Sequence, residues 1–262
     1  MRLRIWQVDA FTGRRFGGNP AAVVPLEAWL PDELMLAIAG ENNLSETAFF
    51  VRDGNEYQIR WFTPAREVAL CGHATLASAY VVFHELAPQR TKVVFGSQSG
   101  PLPVERNGDK LVLDFPANRL EPAPEHPALV AALGRAPREL HQAKQWLALY
   151  DSEEEVRALN PNMAGIVATG VYGVIATAPG RDCDFVSRFF APTAGVPEDP
   201  ATGSAHTYLT PFWAKKLGKS SFFARQVSAR GGELWTELRG NAEQRVSIAG
   251  SAVPYLQGII DV

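Results

Sequence analysis

Glu198-Asp199-Pro200-Ala201-Thr202-Gly203-Ser204-Ala205 packs a carboxylate, a proline turn, a hydroxyl and a glycine into the start of one helix. It follows Phe189-Phe190-Ala191-Pro192, and in the first half of the chain Phe62-Thr63-Pro64 leads likewise to Cys71-Gly72-His73-Ala74. Two related glycine-led helix starts predict a duplicated fold whose halves share one site. The first turn of a helix leaves backbone N–H groups unpaired and carries the positive end of the dipole. A glycine lets a ligand approach those groups closely. Together, Gly72 and Gly203 would grip a carboxylate or a phosphate. For either glycine alone ordinary capping is the commoner case; the pairing is what brings the anion reading level with it. A nucleotide is not indicated, since neither G-x-x-x-x-G-K nor G-x-G-x-x-G occurs.

At 262 residues the chain suffices for one large domain or two ordinary ones. Hydrophobic residues at 46% and charged ones at 20% mark a globular composition. Net charge is −3, and the only adjacent basic pairs, Arg14-Arg15 and Lys215-Lys216, are too short for a nucleic-acid stripe. The longest apolar stretch, residues 74–83, is too short to span a bilayer. Residues 3–8 enter a strand-like alternation at once, so no signal peptide is expected. Cys71 and Cys183 lie in unrelated contexts, which gives neither a disulfide framework nor a zinc motif and fits a reduced, cytoplasmic setting. The histidines His73, His84, His126, His141 and His206 are dispersed, without H-x-x-x-H or a facial triad. No metal and no cofactor are therefore expected, and no G-x-S-x-G elbow supports a serine hydrolase.

Apolar runs at residues 5–8, 21–24, 48–51, 57–62, 92–95, 102–105 and 111–115 predict strands separated by Gly, Pro or Asn. Helices are predicted over 31–41 and 72–83, the second apolar on nearly every face and hence buried. The proline-rich residues 115–127 read as the crossover between halves. Beyond it come a helix over 125–133, strands near 145–149 and 171–176, and a helix from Gly203 to Leu217 that Pro211 should kink or end. Strands at 222–227, 233–238 and 245–249 complete an α+β architecture in which a curved, mostly antiparallel sheet covers each small helix.

Several side chains in this frame could carry chemistry. Glu46, in Asn42-Asn43-Leu44-Ser45-Glu46-Thr47-Ala48-Phe49-Phe50, enters an apolar strand, where burial would raise its pKa toward neutrality; a solvated turn carboxylate is the commoner case. Asp199 before Pro200 is by default a turn or cap residue. His73 at a helix N-terminus is biased toward the neutral form, though packed first-turn histidines are common. Cys71 is a thiol at a helix start, where its pKa would fall. A two-thiol racemase is disfavoured, because the related second-half position holds no cysteine and Cys183 is flanked by Asp182 and Asp184. Cys71 then reads as a small packed residue.

A set of segments in order along the chain carries a resemblance: Val8-Asp9-Ala10-Phe11-Thr12, Gly17-Gly18-Asn19-Pro20-Ala21, Asn43-Leu44-Ser45-Glu46-Thr47, Arg60-Trp61-Phe62-Thr63-Pro64, Gly72-His73-Ala74-Thr75 and Arg188-Phe189-Phe190-Ala191-Pro192, leading into the 198–205 stretch. With these the chain resembles the PhzF-like (phenazine-biosynthesis) family, a branch of the diaminopimelate-epimerase-like fold. The resemblance implies two pseudo-symmetric lobes, each a sheet around a central helix, with an active site in the cleft between them. The lobes would span 1–116 and 117–262, with allowance for a terminal strand crossing between them. It implies a homodimeric isomerase that moves a proton without cofactor or metal. Glu46 matches the acid/base of that family, and His73, Asp199 and Ser204 match the polar residues that assist it. Gly72 and Gly203 match the helix starts that hold the substrate carboxylate, and Asn19 matches the Gly-Asn-Pro turn near it. Cys71, and Asp199-Pro200-Ala201 in place of Asp-Ala-Ala, depart from the phenazine enzyme, so the resemblance carries the chemistry rather than that substrate.

The expectation is a cofactor-independent isomerase of a small carboxylate, with no nucleic-acid or membrane partner. The alternatives are a small-anion binding or sensor protein without turnover, and an epimerase that depends on Cys71.

Overall fold

Alternating and continuous apolar runs become strands, and the two glycine-led segments become the helices those strands cover. The protein is described by a computed structural model over residues 1–240 and 244–262. Its chain divides into two units, 1–115 with 247–262, and 116–246.

In the first unit β1 (Arg2–Ala10) and β2 (Asn19–Leu26) form an antiparallel pair. Helix α1 (Asp32–Asn42) then crosses to β3 (Glu46–Asp53), which lies parallel to β2. A hairpin leads to β4 (Glu56–Phe62), and the two-residue β5 (Glu67–Val68) pairs with its end. Helix α2 (Gly72–Val81), continued by a wide turn of π-helix over Val82–Leu86, leads to β6 (Lys92–Ser97), parallel to β4. The antiparallel β7 (Gly100–Asn107) and β8 (Lys110–Pro116) follow.

The second unit repeats that order. After the short β9 (Glu121–Pro122), α3 (Pro127–Leu133) and β10 (Glu139–Gln142), β11 (Trp146–Leu149) crosses through α4 (Glu153–Ala158) and α5 (Met163–Ala168) to the parallel β12 (Val174–Pro179). A hairpin gives β13 (Phe185–Ala191), with β14 (Val196–Asp199) paired to its end. Helix α6 (Gly203–Leu217) leads to β15 (Ser221–Gln226), parallel to β13, and then to the antiparallel β16 (Gly232–Arg239). So β2-α1-β3-β4-β5-α2-β6 matches β11-α4-α5-β12-β13-β14-α6-β15 step for step, and Gly72 corresponds to Gly203. The sheets are α+β as expected but mixed, because each helical crossover returns a parallel strand. Strands β17 (Arg245–Gly250) and β18 (Ala252–Asp261) end the chain, β18 pairing antiparallel with β1 in the first unit.

Helix α2 is buried from His73 to Ala79 and again at Val81. Its hydroxyls survive there because each bonds back along the helix, Thr75 Oγ1 to the Cys71 carbonyl at 2.5 Å and Ser78 Oγ to that of Ala74 at 2.8 Å. The other sheet face holds α1, with Met35 and Ile38 packed on Val24 and Phe49. In the second unit Leu209 and Trp213 of α6 pack on Ile175, Phe185 and Phe222, while α3, α4 and α5 fill a separate core with Val174 and Val186.

Pro211 does not end α6, which runs unbroken to Leu217. Proline leaves the carbonyl four residues earlier without its helical donor. That carbonyl, of Thr207, is taken by the backbone N–H of Asn118 at 3.0 Å, and Asn118 Nδ2 adds a bond to Thr207 Oγ1 at 2.8 Å. Among the described residues no helix is long and apolar enough to cross a membrane.

Candidate active site

Because β2 and β3 are parallel, with Ala21 opposite Glu46, both begin at the same end of the sheet. Asn19 opens one and Glu46 the other. The chain reaches Glu46 through Asn43, which ends α1 in the left-handed conformation that asparagine tolerates. Asn42 Nδ2 then bonds Thr47 Oγ1 at 3.0 Å and sets the strand start. Asn19 is aimed by Gly18, at φ +59°, where any Cβ would fall 2.0 Å from the Ala10 carbonyl oxygen. Only glycine fits there.

His73 is 5% exposed and lies between these two residues. Its Nδ1 is 3.2 Å from Asn19 Nδ2 and 3.4 Å from Cys71 Sγ, and its Nε2 is 3.3 Å from Glu46 Oε2. Burial pushes the imidazole pKa down to about 3, so the ring is neutral at physiological pH. Neutrality was expected from the helix dipole; burial is its main cause. With Asn19 Nδ2 donating to Nδ1, the single ring proton is assigned to Nε2, the nitrogen nearer Glu46. Glu46 keeps 15% of its side chain exposed, enough for contact with a small molecule.

The second unit builds a different arrangement at the matching helix start. Thr202 Oγ1 donates to Asp199 Oδ2, and the Thr202 N–H donates to Gln226 Oε1 at 2.8 Å. Gln226 Nε2 bonds the Asp199 carbonyl at 2.6 Å and Thr202 Oγ1 at 3.1 Å. His206, fully buried one turn into α6, has Nδ1 at 2.8 Å from the Thr202 carbonyl, and burial pushes its pKa down to about 4. Ser204 is half-buried and its carbonyl accepts from Thr207 Oγ1 at 2.6 Å. Within this unit Asp199 is therefore joined to Thr202 and Gln226.

Each helix start is preceded by the same bidentate ion pair. Arg60 on β4 grips Glu67 on β5 through Nε and Nη2, both at 2.7 Å. Arg188 on β13 grips Glu198 on β14 at 2.7 and 2.8 Å. The fork geometry fixes each short strand against its longer neighbour and so sets where the following helix begins.

Of the residues singled out in the sequence, Asn19, Glu46, Cys71, Gly72 and His73 gather in the first unit, and Asp199, Gly203 and Ser204 lie at one helix start in the second. Thr202 and Gln226 were not singled out. Gln226 did leave a trace, since it falls on the inward parity of Phe222 and Ala224, where a polar residue needs partners. Cys183 is not part of this arrangement: its Sγ donates to the Phe185 carbonyl at 3.3 Å and burial raises its pKa. A cavity of about 620 Å³ in the second unit, walled by Arg119, Leu120, His141 and Phe212, includes none of the singled-out residues.

Comparison with known proteins identifies the family and the fold. The profile described as "Phenazine biosynthesis-like protein" (PhzC-PhzF) matches residues 8–258. An uncharacterized isomerase of Pseudomonas aeruginosa is 53% identical over 261 residues, covering 99% of both chains. The crystal structure of a PhzF-family phenazine biosynthesis protein from Enterococcus faecalis superposes with a TM-score of 0.96 at 44% identity over 100% of both chains. A predicted epimerase of P. aeruginosa, 20% identical over 99% of each chain, shares the fold with a TM-score of 0.75.

Proposed function

Because the chain belongs to the phenazine biosynthesis-like (PhzC-PhzF) family, we propose that it is a cofactor-independent isomerase that moves a proton on a small carboxylate-bearing substrate. The observation that carries this is the Glu46 carboxylate held 3.3 Å from Nε2 of a histidine kept neutral by burial. Such a histidine lies against the carboxylate, yet is too weak a base to take the proton in its place.

In this reading Glu46 removes a proton from a carbon next to an unsaturated or carboxylate group. The C–H electron pair passes into the neighbouring π system, and the proton returns from Glu46 to a different carbon on the same face. Nothing is oxidised or reduced. The family resemblance assigns carboxylate binding to the helix starts at Gly72 and Gly203, each within its own unit, and to Asn19 in the first. Asp199 and Ser204 would assist the proton's movement. A homodimer and a reducing, cytoplasmic setting belong to the same proposal.

The test is solvent deuterium uptake into small cyclic and acyclic carboxylates, followed by mass spectrometry. Wild-type protein should exchange at least one of them. Glu46→Gln preserves shape and hydrogen bonding but removes the base, and should slow exchange by at least about 10²-fold. Exchange at the wild-type rate in that variant would remove Glu46 from its role, while saturable binding without exchange would point to an anion-binding protein.

A further inference from the structure

The geometry points to Glu46, Cys71 and His73 as a site for one divalent transition ion of the zinc class, and occupancy of that site would block the acid/base pair. The blocking role rests on the function proposed above; the binding does not.

One ligand atom from each of the three side chains lies within 4.8 Å of the others, and among the described residues no second group of this kind gathers. Donors around one tetrahedral zinc at roughly 2.0–2.3 Å from the metal stand about 3.3–3.6 Å apart. The Glu46–His73 and Cys71–His73 separations, 3.3 and 3.4 Å, already fall in that range. They involve different ring nitrogens, so the ion would take one nitrogen, and rotation of the Cys71 or Glu46 side chain would bring in the remaining donor.

The donor set is selective. A thiolate with an imidazole and one carboxylate suits zinc or cobalt and not magnesium or calcium, which want oxygen alone. With the ion on Nε2, the Nδ1–H needs an outer acceptor, which Asn19 supplies once its amide turns to present Oδ1 to the ring. Glu46 retains some exposure, which gives the ion a route in and leaves a fourth position for water. Once the carboxylate is bound to metal, its lone pair cannot accept a substrate proton. The ion would act as an off-switch and not as a cofactor.

The experiment titrates chelator-treated, reduced protein with Co²⁺ in the absence of substrate. One equivalent should bind with a thiolate-to-cobalt charge-transfer band in the near ultraviolet, and Zn²⁺ should abolish the band by displacement. Cys183→Ser should keep the band and Cys71→Ser should lose it, with circular dichroism to show that both fold. Asn19→Ala should keep the band while weakening affinity about 10–100-fold. As a check in unmutated protein, Zn²⁺ should protect Cys71, and not Cys183, from iodoacetamide. A missing band, a band that follows Cys183, or unprotected Cys71 overturns the site. The blocking role is read separately, as loss of deuterium exchange on adding Zn²⁺ and recovery with chelator. Metal bound with exchange undiminished keeps the site but overturns both its blocking role and the assignment of Glu46. Exchange intact with no metal bound overturns the site alone.

Discussion

Thr202 donates its hydroxyl proton to Asp199 because Gln226 leaves it that choice. Gln226 Nε2 bonds Thr202 Oγ1 as a donor, so the hydroxyl accepts there and its own hydrogen points to Asp199 Oδ2. One amide thus sets both a hydroxyl rotor and a carboxylate, from a strand that begins after the helix it serves.

Removing this clamp should be costly. Gln226→Ala strands the buried Thr202 N–H and Asp199 carbonyl, and is expected to destabilise by about 2–4 kcal/mol in urea unfolding. Gln226→Glu should cost more at neutral pH, since a carboxylate would face a carbonyl and Asp199. Part of that loss should return on acidification, as protonation restores a donor. A Gln226→Glu protein with no pH dependence beyond wild type would contradict this reading of the clamp.

Gly18 should tolerate no side chain. A Cβ would meet the Ala10 carbonyl oxygen at 2.0 Å in a backbone with positive φ, so Gly18→Ala is expected to cost about 3 kcal/mol. Because Asn19 follows directly, deuterium exchange should fall as well even though Glu46 is untouched. An unchanged melting temperature would show that the turn relaxes freely.

The two bidentate ion pairs should differ in weight. Arg188 side-chain exposure is 13% against 22% for Arg60, and Arg188 Nη1 also serves the carbonyls of Leu159 and Val156 at 2.6 and 3.2 Å. Arg60 instead reaches the exposed Asp32 at 2.8 Å. Arg188→Ala should cost about 3 kcal/mol and Arg60→Ala about 1 kcal/mol, with only the second reduced appreciably by salt. Equal losses in chemical unfolding would contradict the ranking.

His206 gives a pH signature. Its pKa falls from 6.5 to about 4 on burial, so below pH 6.5 the unfolded chain takes up a proton that the folded chain refuses. Stability should therefore drop as pH falls from 6.5 toward 4, by about 3 kcal/mol in all from this residue. His206→Gln should be less stable near neutrality yet show a shallower slope in that window. Parallel pH profiles for the two proteins would exclude His206 as a source of the slope.

Much of this could be read in the sequence where the chain punctuates itself. Glycine, proline and asparagine bounded most strands, and the paired motifs at Gly72 and Gly203 announced the repeat that the strand order displays. Helix α4 was missed although its signal was present: Ser152 caps Glu155 at 3.3 Å while Glu155 Oε2 accepts from the Asp151 N–H at 3.0 Å, a near relative of the capping box. The gathering of Cys71, His73 and Glu46 could not be read from spacing, because it depends on β2 and β3 running parallel and starting together. Searching for local ligand motifs overlooks a cluster that only strand pairing assembles. Pro211 failed as a helix terminator for a similar reason, since its remedy lies in a remote segment.

That remedy has a consequence for how the chain is made. Asn118 leaves the ribosome 89 residues before Thr207, so its N–H must wait, hydrated, until the proline-bearing helix is synthesised. The middle of α6 and the segment around Asn118 can then mature only together. A fragment of the second unit begun at residue 119 would be born with an unanswered carbonyl beneath Pro211, whereas one begun at Pro116 would carry its own answer from the first residues translated.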